Sequence, residues 1–368
     1  MGKLISASSA NISEAQPAGG CAASDCGRFS GEHMFALYPS LKDKRDGPGA
    51  FRTEETKKAT RISEWIRHNK PGFGLCERQL SEGAWTLMRN TQPGSGLLSW
   101  KRILIRTPSE LGVEKYAASP RKMSETVKAA ALHYGAGSVG IAPMNRTYVN
   151  LREQGRPIFF EDVEVPVITP EKLVIPADMK WVVAIAIPMK LELLEQVPTE
   201  LGDAAVAMGY SQSVFVVSAL AEFIRGLGYQ AIPSVNDIAQ SVPFALDAGL
   251  GELGRTNKLI TREFGAAARL CKVFTNMPLE CDKPVRFGVA EYCRVCRACA
   301  EACPARALSF DVEPSLHTQG PWNNQGHTAW FEDSFRCFQY WQKVGNGCGI
   351  CLMACPFTKN PWLGARRD

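Results

Sequence analysis

After Ser119-Pro120, apolar residues recur at helical spacing: Met123, Val127, Ala131 and Tyr134 share one face. A serine before a proline reads as an N-cap with proline at the first helical position, where the missing N–H costs nothing. The predicted helix runs into Gly135-Ala136-Gly137-Ser138-Val139-Gly140. Those glycines match the dinucleotide fingerprint G-x-G-x-x-G. That site, however, needs a strand before the glycines and a helix after them, so that phosphates meet a helix N-terminus. Here a helix precedes and the apolar stretch Ser138 to Ala142 follows. The reading is a glycine C-cap leading into a strand, and a nicotinamide site is rejected.

Trp181 to Ile187 is apolar at both parities, as expected of a strand buried on both faces. A helix is predicted from about Ser211 to Leu227, with Val214, Val217, Ala221 and Ile224 on one face and Gly226 and Gly228 as its stop. A short strand (Tyr229 to Pro233), a helix near Val242 to Ala248, the glycine turn Gly249 to Gly254 and two strand-like runs complete the pattern. Helices alternating with buried strands predict an α/β (α+β) domain over 119–285. Upstream, residues 1–30 read as a flexible lead. Residues 31–118 read as a wrapping region of loops and short elements, with one amphipathic helix around Glu54 to His68.

The balance of 45% hydrophobic and 21% charged residues over 368 positions excludes a disordered chain. A net charge of +5, spread along the whole length, argues against a nucleic-acid partner. The longest apolar run, Trp181 to Met189, is nine residues, against about 20 for a membrane span. The first twenty residues hold neither an apolar core segment nor paired arginines. The expectation is a cytoplasmic chain, or one on the exoplasmic face of a membrane if an export signal has been trimmed.

Cysteine changes the picture. Of 13 cysteines, eight lie in the last 76 residues. Cys293-x2-Cys296-x2-Cys299-x3-Cys303-Pro304 is the bacterial ferredoxin run, and Cys337-x10-Cys348-x2-Cys351-x3-Cys355-Pro356 is a looser second copy. In such runs three cysteines hold one cubane and the cysteine before proline serves the other. Cys293, Cys296, Cys299 and Cys355 are therefore assigned to one [4Fe–4S] cluster, and Cys303, Cys337, Cys348 and Cys351 to a second, in a domain over 286–368. Zinc could use four thiolates, but two copies with both prolines in place argue against it. Cys21, Cys26, Cys76, Cys271 and Cys281 read as small core residues.

Two clusters occupy far less than this chain, so the α/β domain must bind a substrate or redox partner. The runs Gly249-Leu-Gly-Glu-Leu-Gly-Arg255, Leu259-Ile-Thr261, Arg269-Leu-Cys-Lys-Val-Phe-Thr275 and Pro278-Leu279, leading into the cluster motifs, resemble the corrinoid-dependent reductive dehalogenases. The resemblance covers about Ser119 to Asp368. Its cluster motifs are shared with epoxyqueuosine reductases; the segment between Tyr210 and Thr275 separates the two.

The resemblance implies a corrinoid-binding core of nitroreductase-like fold and a catalytic trio at Tyr210, Asn236 and Arg269. Carbon–halogen cleavage needs a proton donor, and a tyrosine is a sluggish one unless a guanidinium stabilises its phenolate. The asparagine amide would hold substrate or leaving halide. The resemblance also implies cobalamin bound without a histidine ligand; D-x-H-x-x-G is missing, with Ser315 where the aspartate would stand before His317 and Gly320. Arg255 and Lys258 are candidates for the cofactor's phosphate. Trp322, Trp330 and Trp341 could line a pocket, though core packing is the plainer role for each. The implied partners are a small organohalide and an electron donor (a reduced ferredoxin, a flavodoxin or a membrane quinol-linked protein). A membrane anchor protein and a homodimer are compatible with the pattern. The twin-arginine signal usual in respiratory members is missing. Competing readings are an epoxyqueuosine-reductase-like enzyme, which needs an acidic proton donor and a basic tRNA-facing surface, and a non-catalytic corrinoid or electron carrier.

Overall fold

The computed structural model describes residues 57–58, 60–68 and 70–360. The lead, Cys21 and Cys26, the first part of the wrapping region and the last eight residues lie outside the described residues. Residues 60–67 are helical, within the predicted amphipathic helix. The helices that follow are α1 (Leu75–Ala84), α2 (Thr86–Arg89), α3 (Pro120–His133), α4 (Leu191–Leu194), α5 (Glu200–Gly226) and α6 (Ser241–Asp247). Five short ones close the chain: α7 (Val289–Val295), α8 (Ala298–Glu301), α9 (Ser334–Val344), α10 (Ile350–Ala354) and α11 (Pro356–Lys359).

Helix α3 starts as its sequence demands, the Ser119 side chain accepting from the Lys122 backbone N–H. It is stopped by Gly135, whose φ of +104° favours glycine. The chain then enters β1 (Ser138–Pro143), the edge of a four-stranded sheet ordered β1-β6-β10-β7, with β6 at Trp181–Pro188, β7 at Ala231–Ser234 and β10 at Ala268–Thr275. All three pairings are antiparallel. The predicted α/β (α+β) domain is thus built on an antiparallel sheet. Strands β6 and β7 do run parallel, joined by the crossover helix α5, but β10 inserts between them and pairs with both. A smaller sheet is ordered β2-β3-β5-β4, with β2 at Arg152–Glu153, β3 at Arg156–Glu161, β4 at Val167–Ile168 and β5 at Leu173–Pro176, and β8 (Glu252–Leu253) pairs with β9 (Leu259–Ile260).

Both faces of the main sheet are buried, which explains the unbroken apolar run in β6. Val183, Ile185 and Ile187, with Cys271 and Val273 of β10, face Val127 of α3 and Val214, Val217 and Ile224 of α5. Val182, Ala184 and Ala186 face Phe244 of α6 and Ile158 and Leu173 of the smaller sheet. Helix α5 begins eleven residues before the predicted start, because Gly202 and Gly209 interrupt its helical pattern. A Cβ at Gly202 would meet Val197 at 2.6 Å, and one at Gly209 would meet the Arg269 side chain at 2.9 Å. Close packing therefore explains both glycines. By length and composition α5 could cross a bilayer, but most of its apolar window is buried within the core.

The described part of the wrapping region runs along α5. The backbone N–H groups of Ile103, Leu104 and Ile105 all donate to the Glu222 carboxylate, and Tyr116 donates to Leu227 O. Cys271 is a core thiol, pushed up to about 12 by burial and so unreactive. Cys76 and Cys281, by contrast, lie exposed, correcting their reading as core residues.

Candidate active site

The main sheet brings three predicted residues to one end. Tyr210 lies on α5, Arg269 opens β10 opposite Ile187, and Asn236 stands two residues beyond the C-terminal end of β7. Asn236 Nδ2 donates to the Tyr210 hydroxyl oxygen at 3.1 Å, and Arg269 Nη1 donates to the same oxygen at 3.4 Å. The guanidinium carbon also sits 4.7 Å from the centre of the Tyr210 ring. A phenol oxygen has two lone pairs and one O–H. Both lone pairs are engaged by nitrogen donors, leaving the proton free to be given elsewhere. Arg269 Nε is buried and has no partner in the protein. Asn236 is exposed although the residues on either side of it are buried, so its amide opens outward from an otherwise closed loop.

One residue missed by the sequence reading completes the setting. The Trp85 ring stacks on Tyr210, with centroids 5.6 Å apart and planes inclined by 22°. Trp85 Nε1 donates to Asp203 Oδ2 at 2.8 Å, and Ser81 Oγ donates to the same oxygen at 2.7 Å. Asp203 lies seven residues before Tyr210, two turns along the same helix face. Its other oxygen accepts from the Gly347 N–H at 3.3 Å, one residue before Cys348. Nothing in the local pattern around Trp85 could have announced this, because the contact joins segments more than a hundred residues apart.

The cysteines gather in two sets. Cys293, Cys296, Cys299 and Cys355 line one cavity, together with Arg255, Tyr292 and Phe357. Burial pushes Cys293 up to about 11 and Cys299 up to about 12, and neighbouring thiols push the same way. In the other set, burial pushes Cys351 up to about 12 and Cys337 up as well, with Cys348 and Cys303 adding to Cys351. Thiols so placed do not ionise side by side; cationic iron is what would hold them as thiolates. Four thiols around a void suit a cubane with iron at its corners. A single ion draws its donors to one point, and among the described residues no group of three or more His, Cys, Asp or Glu side chains is gathered so.

Residues 292–358 match the family model of the 4Fe-4S double cluster binding domain, and residues 153–279 match that of the reductive dehalogenase subunit. Over 318 residues the chain is 36% identical to the tetrachloroethene reductive dehalogenase of Sulfurospirillum multivorans, covering 79% of this chain and 63% of that one. The chain belongs to the reductive dehalogenase family. A tetrachloroethene reductive dehalogenase of Desulfitobacterium hafniense is 29% identical over 359 residues, 80% of this chain and 64% of its own. The chain thus spans less than two thirds of the length of these curated relatives. A solved catabolic reductive dehalogenase shares the mixed α/β fold, with a TM-score of 0.61 at 23% identity, over 77% of this chain and 38% of that one.

Within this reductive dehalogenase fold, Arg255 is not available to a cofactor phosphate, and that expectation is corrected. Its side chain is buried beneath the first cysteine run. Nε donates to the carbonyls of Cys293 (3.2 Å) and Cys296 (3.0 Å), and Nη1 to those of Ser309 (2.9 Å) and Asp311 (2.6 Å). Its backbone N–H reaches Cys293 Sγ at 3.4 Å, and the guanidinium lies 4.9 Å from the Trp330 ring centre. Lys258 is engaged as well, its Nζ 2.9 Å from Glu332 Oε2. Burial presses its pKa down, but Glu332 and the thiols of Cys351 and Cys337 outweigh that and hold the ammonium above its usual range. Both cations therefore serve the cysteine loops.

Of the three tryptophans, Trp330 is buried under Arg255 with its Nε1 donating to Asp311 O, and Trp322 stacks on Phe335. Trp330 packs as a core residue, Trp322 is half-buried, and Trp341 is half exposed beside Phe338. The two cysteine sets carry a direct expectation. Cys303→Ser should leave the first cluster's EPR signal intact while removing the second's. Loss of the first signal alone would overturn the pairing of Cys303 with Cys337, Cys348 and Cys351.

Proposed function

We propose that the chain catalyses reductive dehalogenation of a small organohalide, with Tyr210 as proton donor, Arg269 as stabiliser of its phenolate and Asn236 as the group that holds substrate or leaving halide. The observation that carries this reading is the Tyr210 oxygen accepting two N–H bonds, which leaves its own O–H free to protonate the carbon that loses halide. As that proton leaves, charge develops on an oxygen already met by an amide and a guanidinium. Such preorganised donors need no rearrangement during the reaction. The unspent Arg269 Nε and the outward amide of Asn236 supply further donors for an anionic leaving group.

The two cysteine sets fit two [4Fe–4S] clusters: Cys293, Cys296, Cys299 and Cys355 around one cavity, and Cys303, Cys337, Cys348 and Cys351 beside it. These would pass electrons inward from a low-potential donor such as a ferredoxin, a flavodoxin or a quinol-linked protein. Cobalamin is the cofactor this reading requires, and donors left unspent at Tyr210, Asn236 and Arg269 are compatible with reaction beside such a group. When bound, the corrinoid supplies the low-potential reduction of the carbon–halogen bond. Arg255 and Lys258, engaged at the cysteine loops, would not hold its nucleotide; the core that receives it is nitroreductase-like in this reading. An epoxyqueuosine-reductase-like role fits the site less well, because the groups that meet the Tyr210 hydroxyl are an amide and a guanidinium, with no carboxylate.

The test is halide release from a panel of chlorinated and brominated alkenes and phenols by protein reconstituted with iron, sulfide and cobalamin, using reduced viologen as donor. Release from at least one compound is expected. Binding of cobalamin and both clusters without release from any would favour the carrier reading. On the same samples, bound cob(II)alamin should give an EPR spectrum without nitrogen superhyperfine splitting, since no histidine ligand is expected. A clear nitrogen triplet would overturn that expectation.

A further inference from the structure

The loop that carries Asn236 rests on a buried cation. Lys272 stands on β10 opposite Ser234 of β7 and opposite Ala184 of β6, on the face turned away from Arg269 and Cys271. Its side chain is wholly buried. Nζ donates to the backbone carbonyl of Val235 at 2.6 Å and to Ser241 Oγ at 3.0 Å, and Ser241 Oγ donates to that same carbonyl at 3.3 Å. Asp237 lies close enough to act on the ammonium through space. One of its oxygens accepts from Ser234 Oγ, while the other is buried without a partner. Around these groups the backbone is held from the other side: the Asn150 side chain donates to Asp237 O, and its backbone N–H to Ile238 O at 2.9 Å.

A lysine inside a sheet between apolar strands is unfavourable compared with an apolar residue of similar size unless its ammonium is hydrogen-bonded, and here it is bonded to Val235 O and Ser241 Oγ. Burial pushes Lys272 down to about 8, against the opposing pull of Asp237, Cys271 and Glu153. Charged or neutral, the amine still has hydrogens to donate to Val235 O. That carbonyl belongs to the peptide whose nitrogen is Asn236. Rotation of this peptide would swing the Asn236 side chain away from Tyr210. Among the described residues, the one further bond to this carbonyl comes from Ser241, which Lys272 itself orients.

We propose that Lys272 is a positioning residue for the substrate site: its ammonium fixes the Val235 carbonyl and thereby aims the Asn236 amide at the Tyr210 hydroxyl. The inference rests on the reading of Asn236 as the group that holds substrate or leaving halide. Misplacement of a reacting group by about 1 Å costs roughly 10²-fold, and Lys272→Met, similar in length but without a donor, removes the constraint.

The experiment is a double-mutant cycle on the reconstituted full chain, together with amide hydrogen exchange of the peptide spanning 235–240. Lys272→Met should lower kcat/KM by roughly tenfold to a hundredfold in the wild-type background and by less than about twofold in Asn236→Ala, the difference measuring the coupling. Exchange over 235–240 should accelerate while peptides of α5 and both cluster EPR signals stay unchanged. An equal loss in both backgrounds, or unchanged exchange over 235–240, overturns the proposal. Wild-type turnover in Asn236→Ala alone overturns the reading of Asn236 and the inference with it, whereas a loss there combined with equal effects of Lys272→Met overturns the inference only. If Lys272→Met does not accumulate as folded protein, Lys272→Gln, which keeps a donor for Val235 O, is measured in the same cycle and should fall closer to wild type than a donorless Lys272→Leu.

Discussion

Tyr210→Phe is expected to lower halide release by about 10²–10⁴-fold, the usual cost of losing a positioned general acid. The substitution removes one oxygen and leaves the ring, so the stack on Trp85 and the guanidinium over the ring survive. Asn236 Nδ2 and Arg269 Nη1 lose their common acceptor, but Asn236 is exposed and water takes its place. Both cluster signals and the cobalt signal should persist, since none uses the hydroxyl. Arg269→Lys retains a charge yet loses the planar fork that lies over the ring while donating to its oxygen, so its rate should lie between wild type and Arg269→Ala. Measured kcat with reduced viologen decides the matter: wild-type turnover by Tyr210→Phe would remove the tyrosine from the mechanism.

Arg255→Met should cost the protein its first cluster. Four backbone carbonyls, from Cys293, Cys296, Ser309 and Asp311, accept from this guanidinium in a buried space. Methionine fills much of the volume and offers no donor. Asp311 O keeps its bond from Trp330 Nε1, but the other three carbonyls lose this donor. A buried polar group left without its partner costs about 1–3 kcal/mol, and three such losses compare with a whole domain's stability of about 5–15 kcal/mol. The guanidinium also favours the thiolate of Cys293, so its removal weakens the hold on iron as well as the loop that presents it. Iron content after anaerobic reconstitution should fall from about eight to about four per chain, with the signal of the Cys303 set retained. A full complement of iron in Arg255→Met would show that the loop holds its shape without the cation.

The two cysteine runs were legible because cluster ligation is a local demand. Two-residue gaps let a tight loop offer three thiols, and the cysteine before each proline is carried to the other set by chain direction. Cys293, Cys296, Cys299 and Cys355 line one cavity. The helix from Pro120, its glycine stop and the doubly buried strand at Trp181 were equally legible, since capping and periodicity act within a few residues. Tyr210, Asn236 and Arg269 were reached through resemblance to a family, and no periodicity or spacing within any one segment picks them out.

What the sequence by itself determined is whatever short-range chemistry dictates: element starts and stops, apolar faces, and the two cysteine runs of a double cluster domain. The tertiary structure decided the rest, because those outcomes depend on pairs of residues far apart in the chain. It made the sheet antiparallel by inserting β10 between β6 and β7, and it used Gly209 to let the Arg269 side chain cross α5. It turned Arg255 from a candidate phosphate ligand into the clamp of a cysteine loop, and it set Trp85 of the wrapping region on the ring of Tyr210. A basic or aromatic side chain satisfies many partners equally well on paper; burial leaves it only those that the fold brings within hydrogen-bond or ring-contact distance.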